Sequence, residues 1–229
     1  MLSRNYIEKE LTKTLKIGLS TKGLVLNDFG SFDGKIDEGF INFTFVIHEY
    51  FSKFILVYGL SVRFDYVEEP WEKYRNFLDL SDQLPSITIG VNRADIDPKL
   101  DIHNEIPLAK GGGIIIETKK DIDSVNRLIL EEYKNLLLPF IKGIDIKWLD
   151  EHANPTIQAG PSHVKFIFNE GFWFKRLVIA KLSGNPEYPQ ILKWIQDKFQ
   201  KGYESTGNEK YSKFLTVIER IDQDVNTGD

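Results

Sequence analysis

Asp95, Asp97, Asp101, His103 and Glu105 fall within the run Asp-Ile-Asp-Pro-Lys-Leu-Asp-Ile-His-Asn-Glu and could together ligate a hard divalent ion. Carboxylate oxygens suit magnesium, manganese or calcium, and an imidazole can complete such a set. The spacing is not that of an EF-hand loop. Leu100 stands where that loop needs its glycine, and Ile106 where it needs a bidentate glutamate. Aspartate and proline also build ordinary solvated turns, which is the simpler reading of this run.

Other motifs carry less chemistry. Lys110-Gly111-Gly112-Gly113 has the composition of a phosphate cradle. A P-loop, however, follows a strand and opens a helix, whereas these glycines precede the apolar run Ile114-Ile115-Ile116. A close backbone approach fits them better. His48-Glu49 begins like a zinc-protease motif but lacks the second histidine. Ser162-His163 is the one adjacent serine and histidine, and neighbours on a strand would point to opposite faces. Asn42-Phe43-Thr44 fits a glycosylation sequon in the middle of an expected strand. For a partner surface, the candidates are Arg63 and Asp65 at the polar end of a strand, with Trp71 and Tyr74 beside Glu68-Glu69. Core packing is the competing reading for those two aromatics, and for the cluster Phe166, Phe168, Phe172, Trp173 and Phe174.

The elements that must position these groups follow from periodicity. Ile7, Leu11 and Leu15 recur every four residues and predict a helix capped by Ser3. From Ile41 the period becomes two: Ile41, Phe43, Phe45 and Ile47 make one strand, and Phe54 to Tyr66 a longer one. The short polar link between them predicts an antiparallel hairpin. Glu68-Glu69-Pro70 should start a short helix over 71–80, and Ser86–Val91 and Ile114–Thr118 two further strands. Asp121 should cap a helix that Pro139 ends, and Asp145 a shorter one holding Trp148 and Leu149. Val164, Phe166 and Phe168 suggest one more strand. Phe172–Leu182 reads as a buried helix, and two amphipathic helices follow Asn185-Pro186-Glu187 and Gly207. The order implies an α+β fold: an antiparallel β-sheet packed against helices, with a helical C-terminal third. The expected division is an α+β domain over 1–153 and a helical region over 154–229, packed as one compact unit.

Composition narrows the function classes. The chain has 229 residues, 41% of them hydrophobic, which is ample for a core and excludes a disordered chain. Basic residues number 29 against 34 acidic, a net charge of −5, so nucleic-acid phosphate is not the expected partner. The absence of cysteine excludes disulfides, thiol catalysis and thiolate metal sites. No apolar run approaches the roughly 18 residues of a membrane span, and the N-terminus is amphipathic, so a cytoplasmic protein is expected.

Ile7–Leu15, the strand pair over 41–66, Asp121–Pro139 with its Leu136-Leu137-Leu138-Pro139-Phe140 ending, and Ala180-Lys181-Leu182-Ser183-Gly184-Asn185-Pro186 carry a resemblance across most of the chain. The arrangement resembles a bacterial domain-of-unknown-function family with an N-terminal helix, an antiparallel sheet and a helical tail. At the level of class it is also similar to toxin-immunity proteins and secretion chaperones. The resemblance implies a fold and transfers no catalytic residues. The expected function is a non-enzymatic protein-binding module, of immunity type, with a protein partner and no cofactor. The alternative is a small-molecule or divalent-metal-dependent enzyme using residues 95–105.

Overall fold

The computed structural model describes residues 2–51, 53–80, 86–96, 113–167 and 170–225. In chain order the elements are α1 (Arg4–Ser20), β1 (Val25–Leu26), β2 (Phe32–Ile36), β3 (Gly39–Tyr50), β4 (Lys53–Phe64) and α2 (Asp65–Glu72). Next come β5 (Ile89–Asn92), α3 (Arg93–Ile96), β6 (Ile114–Ile116), α4 (Lys119–Glu132), a π-helical turn (Tyr133–Leu137) and α5 (Leu138–Lys142). The C-terminal part holds α6 (Ile146–Ala153), α7 (Phe172–Leu182), α8 (Tyr188–Thr206) and α9 (Glu209–Asp224). The fold is α+β, with an antiparallel sheet and helices in the C-terminal part.

Two compact units divide the chain: residues 1–62 with 90–143, and residues 63–89 with 144–229. The expected break at 154 does not coincide with this division. Residues 63–89 group with the C-terminal helices, because α2 packs on α7 and α9.

In the first unit, Ser3 Oγ accepts the Tyr6 N–H and starts α1, whose stripe Ile7, Leu11, Leu15 and Leu19 is wholly buried. The sheet runs β1-β2-β3-β4, and both β5 and β6 lie beyond β4. Phe32 pairs with Phe43, and Phe54 with Ile116, which fixes which side chains share a face. Ile41, Phe43, Ile47, Leu56, Tyr58 and Leu60 form the covered face, on which α1 and α4 pack. Within that core the Tyr58 hydroxyl donates to Glu132, and Glu132 pairs with Arg93 at 2.6 Å. Burial and the neighbouring carboxylate together push the Tyr58 phenol well above its ordinary range.

Two expectations about helix ends are corrected here. Thr118, not Asp121, is the N-cap of α4, and the Asp121 carboxylate accepts the backbone N–H groups of Thr118 and Glu117. Pro139 does not end the helix. The π-helical turn before it lets the Leu138 N–H bond back to the Tyr133 carbonyl, five residues earlier. This wider turn accommodates a proline that an α-helix interior would reject.

In the second unit, Trp71, Phe174, Leu177, Ile191, Ile195, Val217 and Ile221 form the centre of the core. The Trp71 and Phe174 rings stack at 6.0 Å. The strand expected to reach Tyr66 stops at Phe64, because α2 already begins at Asp65 and holds Pro70 in its second turn. Residues after Glu72 form turns, not the helix expected over 71–80. The strand expected at 164–168 reduces, among the described residues, to a single bridge between Ile89 and Ile167.

Candidate functional site

The β3–β4 hairpin of the first unit exposes one face and its tip. Strands of twelve residues flank a two-residue connection, and side chains alternate between the covered and open faces. Val46, His48 and Tyr50 on β3 and Val57 on β4 stand on the open face. Phe51 follows at the tip, 89% exposed, with Tyr50 at 62%. Their rings meet edge to face at 4.8 Å. Phe51 has φ +54, a left-handed conformation that a bulky residue adopts rarely. Large aromatics held in water beside exposed valines are unusual on a monomeric surface and mark contact sites. The signal for them was present in the sequence, since Tyr50-Phe51 closes the alternating strand, but a turn residue has no periodic partner to show that it stays exposed.

The residues expected to form the partner surface lie in the second unit, and two of the four, Arg63 and Trp71, are buried. Arg63 is buried and pairs with Asp65 at 2.6 Å and Glu72 at 2.7 Å. Its other contact is Ser86 Oγ, at 3.1 Å. Trp71 has no exposed surface, which removes it from any docking face. The Tyr74 hydroxyl donates to Asp224, and Lys73 pairs with the same carboxylate at 2.7 Å. Arg75 extends the cluster, pairing with Glu72 and Glu170. Alternation along β4 placed Arg63 opposite the apolar face correctly. It could not show that the second unit supplies carboxylates there.

This ion-pair cluster has a pH signature. Burial by itself would raise the Glu72 carboxyl, but bonds from Arg63 and Ser86 outweigh it and hold the group below its ordinary value of 4.5. A carboxyl whose pKa is lowered by folding binds fewer protons when folded than when unfolded. Its contribution is therefore complete above about pH 4.5 and is lost as the pH falls through the folded value. The urea midpoint should decline below about pH 4.5, and Glu72→Gln should show a shallower acid limb. Equal acid slopes in the two proteins would refute this role.

Beneath the cluster lies a buried pair that sequence reasoning missed. Glu68 and Lys175 are both fully buried, with Lys175 Nζ 3.3 Å from Glu68 Oε1. Glu68 also accepts from Trp71 Nε1 at 3.0 Å and from Thr88 Oγ1 at 2.7 Å. Thr88 Oγ1 in turn accepts the Phe64 N–H, and Lys175 donates to the Ile87 carbonyl. Burial lowers the pKa of the Lys175 ammonium, and Glu68 opposes that shift. Every polar atom here has a partner within the chain, so the group locks α2 and α7 together.

Of the residues expected to hold a metal, Asp95 is placed at the start of α3, where its carboxylate accepts the Asn92 N–H at 3.0 Å. Asp97, Asp101, His103 and Glu105 lie outside the described residues, as do Lys110, Gly111 and Gly112. Among the described residues no cluster of three or more acids and histidines could hold a metal ion. A Cβ on Gly113 would come within 2.6 Å of Ile55 Cγ2, so that glycine serves the close approach expected of it. Ser162 and His163 lie in a 3₁₀ turn, not a strand, and His163 Nδ1 accepts the Gly160 N–H. In the aromatic cluster, Phe172 and Phe174 are core, while Phe166 packs on Trp148 and His152. Phe168 lies outside the described residues. No helix among the described residues is long and apolar enough to cross a membrane.

No family model, curated protein or solved structure matches this chain.

Proposed function

We propose that this protein is a non-enzymatic protein-binding module of the immunity type, with the tip of the β3–β4 hairpin as its principal contact. The observation that carries this reading is the exposure of Phe51 and Tyr50, two aromatics in edge-to-face contact at the end of an antiparallel hairpin. Aromatic anchors with few rotatable bonds lose little entropy on binding and dominate interface energetics. The net charge of −5 favours the approach of a basic partner. The buried charges of the second unit support the same reading, since Glu68 and Lys175 are bound to one another and to their neighbours.

Tagged protein and the Tyr50→Ser/Phe51→Ser variant should be compared by capture from native lysate at low and high salt. We expect one stoichiometric protein on the wild type, released by salt, and at least tenfold less of it on the variant. Both changes fall on exposed positions, so the variant should melt within a few degrees of the parent. Equal retention by both proteins, or none by either, would overturn the reading.

A further inference from the structure

An open cavity of about 470 Å³ lies in the first unit between α1 and α4, a size that suits a small molecule. Two adjacent rows of α4 and the turn after it line the cavity. Asp123, Arg127 and Glu131 form one row, and Asn126, Leu130 and Lys134 the other. Lys22, just beyond α1, faces them. Leu130 packs against α1 at Gly18, where a Cβ would sit 2.5 Å from Leu130 Cδ1. Lys134 belongs to the π-helical turn, a feature that recurs at functional sites because it shifts the side-chain register.

Asn126 is the residue that needs explaining. It is 2% exposed, and both its amide nitrogen and its amide oxygen lack a hydrogen-bond partner. An unpaired buried carboxamide is destabilising, and apolar residues fill its neighbouring core positions. The charged groups that line the same cavity, Lys22, Arg127, Lys134, Asp123 and Glu131, are exposed, and among the described residues they make no ion pair with one another.

We propose that this cavity binds a small zwitterion carrying an amide, of which a dipeptide is the simplest. A peptide group presents a donor beside an acceptor and so satisfies both atoms of Asn126 at once. The carboxylate end pairs with Lys22, Arg127 and Lys134, and the ammonium end with Asp123, one turn before Arg127 on the same row. Because the Asn126 amide is closed off from water, the ligand reaches it by moving Leu130, the half-buried side chain one turn further along the same row.

The test is a titration of the full chain with L-alanyl-L-alanine, followed by ¹⁵N-resolved NMR and by thermal melting. The wild type should show saturable shifts of the Asn126 side-chain amide and of Arg127 and Lys134, with a melting point that rises with the dipeptide. Asn126→Leu should melt higher than the wild type without ligand, since it removes the unpaired amide, and should bind at least tenfold more weakly. Should that variant fail to fold, Arg127→Gln/Lys134→Gln, which changes exposed positions only, should weaken binding at least fivefold. No saturable shift in the wild type at millimolar dipeptide would overturn the proposal. So would undiminished binding by a folded variant, in which case the cavity holds only water.

Discussion

Glu68→Gln should destabilise the protein by about 3–5 kcal/mol, the usual cost of leaving one partner of a buried ion pair without its counter-charge. The Lys175 ammonium would then keep the Ile87 carbonyl and the more distant carboxylates of Glu170 and Glu72, but no adjacent counter-charge. Glu68→Met/Lys175→Met should recover at least half of that loss, because two apolar side chains of similar length need no charge compensation. Lys175→Met alone should cost less than Glu68→Gln, since Glu68 keeps its bonds from Trp71 and Thr88. The deficit of Glu68→Gln should also narrow with rising pH. A lysine whose pKa is lowered by folding binds fewer protons folded than unfolded. Stability therefore rises as the pH climbs through its folded value towards the ordinary 10.5. Urea unfolding of the three variants at pH 7 and near pH 10 reads all of this. Additive losses in the double variant would show that the two groups do not act as a pair.

Trp71→Ala should cost about 3–5 kcal/mol, the range for emptying a fully buried tryptophan site. The lost ring stacks on Phe174, and its N–H is one of the bonds that hold the Glu68 carboxylate. Trp71→Phe retains the stacking and most of the volume, and should cost less than half as much. Far-ultraviolet circular dichroism during melting distinguishes this role from the surface role that the sequence suggested. If Trp71 were a contact residue, Trp71→Ala would melt with the parent and lose only partner affinity. A melting point within two or three degrees of the parent would refute the core assignment.

These two residues also show where sequence reading succeeds and where it stops. Trp71 stands next to Pro70 and two acids, a local composition as consistent with a solvated patch as with a core. Only the arrival of α7 and α9 on α2 decides between them. Lys175 and Arg176 show the same limit within one helix. The run Phe172–Leu182 reads as a buried helix, apolar nearly all round, and its residues are buried except for the half-buried Trp173, Lys181 and Leu182. The Arg176 guanidinium bonds to Asn154 Oδ1 and to the carbonyls of Thr156 and Ala159, which are distant in sequence, so no local pattern could reveal its anchoring role.

The sequence by itself determined the fold class, the α1 stripe, the β3–β4 hairpin and the amphipathic α8 and α9, because each is written in a period of 3.6 or 2 within one segment. Tertiary structure alone decided that residues 63–89 join the C-terminal helices, that Arg63 and Trp71 are buried, that Asn126 is unpaired and that Phe51 stands in water. Burial and pairing depend on what arrives from elsewhere in the chain. A side chain's own neighbours in sequence carry no record of that.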